Sequence, residues 1–105
     1  MTLERAIQAE FGASPHMIAY VGGTAGVEAV LPFVFYDRAF AWLNQHFGQA
    51  IEKQAWHPSH CGVPVMRWVL PELNGAEQHI NLIRQPKLHQ VIISFWPETG
   101  QKEIN

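Results

Sequence analysis

Three strand-like runs follow one another in residues 63–96, which read VPVMRWVLPELNGAEQHINLIRQPKLHQVIISFW. Each run is rich in β-branched and aromatic side chains, which favour an extended backbone, and the runs cover residues 63–70, 78–84 and 89–96. Asn74-Gly75 is a strong signal for a hairpin between the first two runs, and Gln85-Pro86-Lys87 predicts a turn before the third. The stretch therefore predicts an antiparallel meander, with a short helix over residues 76–85 as the alternative for the middle run.

The clearest helix precedes this meander and covers residues 37–47, or about 37–48. Large apolar side chains recur there at spacings of four, three and four, which places on one face Tyr36, Phe40, Leu43 and Phe47. Asp37 is a natural N-cap and Gly48 a natural stop. Because Ile51 continues the apolar stripe, the sequence leaves open whether residues 50–56 extend the helix or form a strand.

The N-terminal part of the chain predicts one more helix and two more strands. An apolar residue at every fourth position predicts a short helix over residues 2–11, and extended runs predict strands over residues 16–21 and 27–36. Pro32 cannot donate a ladder hydrogen bond, so it bends the second strand, splits it or holds it at a sheet edge. A short helix over residues 24–31 is the competing interpretation.

Together these elements predict an α+β fold, in which an antiparallel sheet of about four to six strands carries the main helix and the short N-terminal helix on one face. A length of 105 residues suggests a single domain that spans residues 1–105. The polar tail after Pro97 is expected to be loose. An uncovered strand at the sheet edge would invite pairing with a second copy of the chain.

The composition predicts an apolar surface. Hydrophobic residues make up 48% of the chain and charged residues only 15%, whereas about a quarter of a typical globular domain is charged. Exposed apolar patches often mark contacts with a partner, and aromatic residues are enriched in the cores of interfaces. The interface explanation predicts a homo-oligomer, either a dimer or a larger assembly; a core rich in aromatic residues is the alternative explanation of the same composition.

Charge and hydropathy argue against two other classes of partner. The formal net charge is −2 and the seven basic residues are scattered, so the basic patch typical of a nucleic-acid-binding protein is missing. The charged N-terminal stretch is no signal peptide, and no apolar run approaches the ~20 residues that span a bilayer. A single cysteine cannot close an internal disulfide, and we expect a cytoplasmic protein.

The densest chemical cluster lies in the loop between the main helix and the meander, where His57, His60 and Cys61 follow Trp56. Imidazole and thiolate are good zinc ligands, but no further histidine lies at a recognisable ligand spacing, so we assign no metal ligand and the cofactor stays unknown. Cys61 could act as a nucleophile with His57 as its base, although no acid or oxyanion donor follows in a recognisable order. Alternatively, the histidines cap loop carbonyls and Cys61 packs as a small hydrophobe.

Aromatic side chains could line an apolar pocket between the main helix and the sheet. Trp42 lies off the main apolar stripe and Trp56 adjoins the His/Cys loop, so core packing explains these two least well. Arg67, Glu28 or a histidine could orient a ligand there. The predicted ligand-binding residues are Trp42, Trp56, His57, His60, Cys61 and Arg67.

These observations favour a small binding or interaction protein that self-associates and holds a small, partly apolar ligand between the main helix and the sheet. The alternative is a small enzyme of the hydrolase or isomerase type that uses the loop at residues 57–61, with or without a bound metal.

Overall fold

The structure is a computed structural model that describes residues 1–20, 23, 25–53, 65–73, 76–101, 103 and 104. Within this part, the chain forms three α-helices, six strands and two short 3-10 turns. The helices are α1 (Leu3–Phe11), α2 (Tyr36–Phe47) and α3 (Pro97–Gly100). The strands are β1 (His16–Ala19), β2 (Ala25–Pro32), β3 (Ile51–Lys53), β4 (Val65–Leu73), β5 (Ala76–Gln85) and β6 (Gln90–Phe95). The 3-10 turns are Phe33–Phe35 and Pro86–Leu88.

The described strands form one antiparallel sheet in the order β1-β2-β6-β5-β4-β3. The meander of β4, β5 and β6 is therefore confirmed, and so is the α+β fold. β6, the last strand of the meander, pairs with β2. The chain after β2 therefore crosses the sheet through α2 to reach the opposite edge, where β3 lies. This crossing lays the main helix over the sheet.

The three described helices all pack on one face of the sheet, which we call the helix face. Alternate strand residues point to it, as the period of two requires. The buried core between helices and sheet includes Leu3, Ile7, Leu31, Leu43, Trp68, Ile80, Leu82, Ile93 and Phe95. The opposite face, on which none of these helices packs, is called the helix-free face.

The end of α2 is held by a buried tryptophan from β4. The Trp68 indole donates from Nε1 to Asn44 Oδ1 at 3.1 Å and to the Gly48 carbonyl at 3.0 Å. Gly48 adopts a φ of +84°, which only glycine tolerates easily, so the helix stops there as predicted. The chain then enters β3. The sequence had left residues 50–56 open between helix and strand, and residues 51–53 of this segment are strand. Residues 54–56 lie outside the described part.

The start of α2 corrects two predictions. The segment 33–36 does not continue the predicted strand, because β2 ends at Pro32 and the chain passes through a 3-10 turn directly into the helix. Pro32 cannot donate a ladder hydrogen bond, so it marks the point where pairing ends. Asp37 is not the N-cap: Phe35 occupies that position without a side-chain cap, and Asp37 lies in the first turn. The alternative helix over residues 24–31 is wrong, because Ala25–Pro32 is strand β2.

The described part of the C-terminal tail, residues 97–101, 103 and 104, is ordered rather than loose. Trp96 and Pro97 lead into the one-turn helix α3, whose Thr99 is buried and donates from Oγ1 to Gln78 Oε1 on β5. Gly100 packs so closely that a Cβ atom there would stand 2.6 Å from the Phe95 ring. A β-bridge joins Thr2 to Glu103. The sequence did not predict these few buried contacts, because most residues of the tail are polar.

The short helix α1 is formed as predicted, with Thr2 as N-cap and Gly12 as a left-handed C-cap at φ +73°. The side chain of Arg38 on α2 ties it down, donating to the backbone carbonyl and the carboxylate of Glu10. The Arg38 guanidinium also lies 5.1 Å from the centre of the Phe11 ring. Among the described residues, no helix combines the length and the apolar character that crossing a bilayer requires.

Candidate functional site

A hollow of about 270 Å³ lies between the end of α2 and strand β4. Phe47 forms its helix side and Leu70 and Pro71 its sheet side. The remaining lining residues are Leu3, Thr99, Glu103 and Ile104. Apolar side chains dominate this lining, and Thr99 and Glu103 are its polar residues. The hollow therefore has the shape and chemistry to hold a small, partly apolar molecule.

A second hollow of about 320 Å³ opens between α1 and α2. Trp42 and His46 form its α2 side, with their rings 4.5 Å apart, and Ala6, Ala9 and Glu10 form its α1 side. An edge contact of 5.5 Å between the Trp42 and Phe11 rings fixes the indole. Ile104 lines both hollows, which therefore adjoin each other around that side chain.

On the helix-free face, one register line carries polar side chains across most of the sheet. We call it the polar row, and it consists of His16, Glu28, Ser94, Asn81 and Arg67, each opposite the next on a neighbouring strand. Glu28, Ser94 and Asn81 are buried although they are polar. A parallel line of apolar residues runs beside it and consists of Val30, Ile92, Ile83 and Val65. Buried polar groups are costly unless hydrogen-bonded, so the contacts of the polar row decide what it can do.

Tyr20 joins two members of the polar row. Its hydroxyl donates to Glu28 Oε2 at 3.0 Å and lies 3.1 Å from Ser94 Oγ. Gly26 on β2 makes room for the ring, since a Cβ atom there would stand only 2.4 Å from Tyr20 Cε2. Because Gly26 has no side chain, the Tyr20 ring can lie over it, and the hydroxyl then reaches Glu28, two residues further along β2.

The pKa of Tyr20 is raised to about 12, mainly by burial. The hydrogen bond with Ser94 lowers this pKa, and the neighbouring Glu28 raises it. Burial disfavours the phenolate, and a nearby carboxylate disfavours it further. The Tyr20 hydroxyl is therefore a proton donor throughout the neutral range, which suits it to hold the carboxylate of Glu28 rather than to act as a base.

Arg67 forms the other end of the polar row. Its Nε donates to Asn81 Oδ1 at 2.7 Å, across the β4–β5 pair. Burial lowers the pKa of Arg67, and the negative charge of Glu77 raises it in part. Glu77 itself contacts His79 on the same strand, with Oε1 and Nε2 2.7 Å apart. The guanidinium is thus oriented by an amide and partly removed from water.

The structure separates the two predicted site residues that it describes. Trp42 lies on α2 beside the second hollow, whereas Arg67 points to the helix-free face, so the two cannot contact one molecule. Trp56, His57, His60 and Cys61 lie outside the described residues, and their predicted roles, including the enzyme alternative, stay predictions. Within the described ranges, no group of three His, Cys, Asp or Glu side chains is placed to hold a metal ion.

Sequence reasoning named Glu28, and it named Tyr20 only as one of the aromatic side chains that could line a pocket, but it missed Ser94 and Asn81. A signal for both of these exists: Ser94 interrupts the apolar run HQVIISFW, and Asn81 interrupts QHINLIR. Polar residues inside strand-like runs can mark a shared polar line, but their alignment depends on register between strands, which the sequence does not give.

Comparisons with known proteins add no assignment. No family model matches the chain, and neither the curated proteins nor the solved structures that were searched gave a match. The function therefore has to be argued from the geometry described above.

Proposed function

We propose that this is a small binding protein that associates with a second copy of itself and holds a small, partly apolar ligand between the main helix and the sheet. The hollow between Phe47 on α2 and Leu70 and Pro71 on β4 is the observation that carries the ligand part of this proposal. The hollow lies at the boundary between helix and sheet, and its lining is mainly apolar with two polar residues.

The size of this hollow limits the ligand. Ligand pockets usually measure about 300–1,000 Å³, and this hollow measures about 270 Å³. A ligand of one ring or a short chain fits, and it would bury roughly 150 Å² of apolar surface for a gain of about 4 kcal/mol. Such a gain corresponds to a dissociation constant of about 1 mM.

A single-ring probe tests the ligand part. 4-Fluorobenzyl alcohol, followed by ¹⁹F NMR, is expected to bind the wild-type protein saturably. Leu70→Trp fills the hollow and is expected to abolish binding, whereas Val69→Trp places the same side chain on the opposite face of the same strand and should leave it intact. Circular dichroism confirms that both variants are folded. Absence of saturable binding to the wild type, or equal loss in both variants, would contradict the proposal.

The edge strand β1 supports self-association. It lies at the end of the strand order and pairs on one side with β2. Its sequence, His-Met-Ile-Ala, lacks the charged or proline residues with which natural proteins usually protect an edge. Met17 on this strand is 61% exposed. A second copy could therefore extend the sheet by antiparallel β1–β1 pairing without any repulsion between formal charges.

Sedimentation equilibrium across a concentration series tests this part. The wild-type protein is expected to dimerise, and Met17→Lys is expected to shift it towards the monomer. Leu88→Lys is the matched control, because Leu88 is 62% exposed in the 3-10 turn after β5, away from the β1 edge. A strict monomer at every concentration would refute the self-association, as would a Met17→Lys variant that dimerises as tightly as the control.

A further inference from the structure

We propose that the helix-free face carries a second, separate site that binds a small organic monocarboxylate with an apolar body, and that Arg67 holds the carboxylate. Arg67 uses Nε to donate to Asn81 Oδ1, and neither of its Nη groups donates to any residue that the structure describes. The planar fork of a guanidinium matches a carboxylate with two parallel hydrogen bonds.

Among the described side chains, no carboxylate accepts a hydrogen bond from this fork. Glu77 acts on Arg67 through its charge, but its Oε1 contacts the imidazole of His79 at 2.7 Å. Asn81 offers a neutral oxygen, which orients the guanidinium without neutralising it. A partly buried cation without a charge partner in contact gains more from an anion than one in open water does.

The surroundings of Arg67 select the body of the ligand. Ile51 stands directly opposite Arg67 on β3 and is 47% exposed, and Val69, two residues along β4, is 39% exposed. Both side chains point to the helix-free face together with Arg67. A carboxylate on an aliphatic chain or a single ring could pair with the guanidinium and cover these two side chains. A phosphate ion offers the charge but nothing to cover them.

This site is independent of the hollow proposed above, because Leu70 and Arg67 point to opposite faces of β4. Failure of one proposal therefore leaves the other untouched. The two probes differ in a single group: 4-fluorobenzyl alcohol tests the hollow and 4-fluorobenzoate tests Arg67. Each can be titrated in the presence of the other, and we expect them not to compete.

The experiment measures 4-fluorobenzoate binding by ¹⁹F NMR to the wild type and to three variants. Arg67→Gln is expected to weaken binding at least about 10-fold, since a charge-assisted bidentate pair contributes roughly twice as much as a neutral hydrogen bond. Arg67→Lys retains the charge without the fork and is expected to bind with intermediate affinity. Arg84→Gln is the control, because Arg84 lies on the helix face over the rings of Phe33 and Tyr36. It should bind as the wild type does.

Thermal melting of each variant shows whether the fold is intact, and Arg67→Lys serves as the second test if Arg67→Gln unfolds. The proposal is overturned if the wild type shows no saturable 4-fluorobenzoate binding, or if folded Arg67→Gln binds as tightly as the wild type. It is likewise overturned if inorganic phosphate displaces 4-fluorobenzoate at equal concentration, because an apolar body would then contribute nothing.

Discussion

Replacing Tyr20 by phenylalanine removes one oxygen atom from the buried cluster with Glu28 and Ser94, and we expect it to cost more stability than its size suggests. The hydroxyl donates to a carboxylate that is only 4% exposed and lies 3.1 Å from a serine that is 3% exposed. A hydrogen bond to a charged group contributes about 1.5–3 kcal/mol, and a buried group that loses its partner costs about 1–3 kcal/mol. The expected loss in free energy of unfolding is about 2–3 kcal/mol.

Urea unfolding followed by tryptophan fluorescence measures this loss. A decrease of about 2.5 kcal/mol would lower the midpoint by about 1.5 M if the slope is about 1.6 kcal/mol/M, with the slope unchanged. Combining Tyr20→Phe with Glu28→Gln should give a coupling energy of about 1 kcal/mol or more, because the two groups contact each other. Arg67→Gln is the control partner, since three strand spacings of about 4.8 Å separate it from Glu28 along the row.

The same hydroxyl predicts a loss of stability in alkali. The pKa of Tyr20 is raised from 10.0 to about 12 in the folded protein, so the folded state retains a proton that the unfolded chain releases. Its contribution is complete below pH 10 and is lost as the pH rises through about 12. Two pH units correspond to about 2.7 kcal/mol at most, and partial hydration lowers this to about 1–2 kcal/mol. The Tyr20→Phe variant should not show this alkaline loss of stability. The reasoning would be refuted if Tyr20→Phe lowered the free energy of unfolding at pH 7 by less than about 0.5 kcal/mol, or if the variant and the wild type lost stability equally in alkali.

Substitutions at three further positions test the packing and the backbone conformation. Gly26→Ala should cost about 2–4 kcal/mol in the wild type but less than about 1 kcal/mol in a Tyr20→Ala background, because the clash is with the Tyr20 ring; equal costs in both backgrounds would refute this. Trp68→Phe loses two indole hydrogen bonds and should cost about 2–3 kcal/mol in thermal unfolding; a cost below about 1 kcal/mol would contradict it. His89 is the one described non-glycine residue with a positive φ, at 53°. His89→Gly should therefore raise the free energy of unfolding by up to about 1 kcal/mol, and His89→Val should lower it. A His89→Val variant more stable than the wild type would contradict this reasoning.

The fold was largely predictable because, along most of the chain, the hydrophobic periodicity agrees with the positions of the glycine and proline residues that end helices and strands. The main helix ends at the predicted Gly48, and the predicted strand around Trp68 is formed, with its residues alternating between the two faces of the sheet. The same agreement failed where composition and geometry conflict. Residues 33–36 have strand-forming side chains, but Pro32 ends the pairing, and their aromatic rings pack against the core from a turn and a helix instead.

The candidate sites were less predictable because they depend on register and on distant contacts. Trp42 was identified as lying off the main apolar stripe, and it does border a hollow, but nothing in the local sequence shows that the distant Ile104 also lines it. The pairing of Glu28 with Ser94 joins residues 66 positions apart, and Tyr20 reaches both only because residue 26 is a glycine. Such alignments follow from the order of strands in the sheet.

A methyl-resolved NMR titration with 4-fluorobenzyl alcohol tests the binding function most directly. We expect saturable shifts in the methyl signals of Leu3, Leu70 and Ile104, which line the hollow, and none in those of Val30 and Ile92 on the helix-free face. Saturable shifts that appear instead on the helix-free face, or no saturable shift in any methyl group up to about ten times the expected 1 mM dissociation constant, would contradict it.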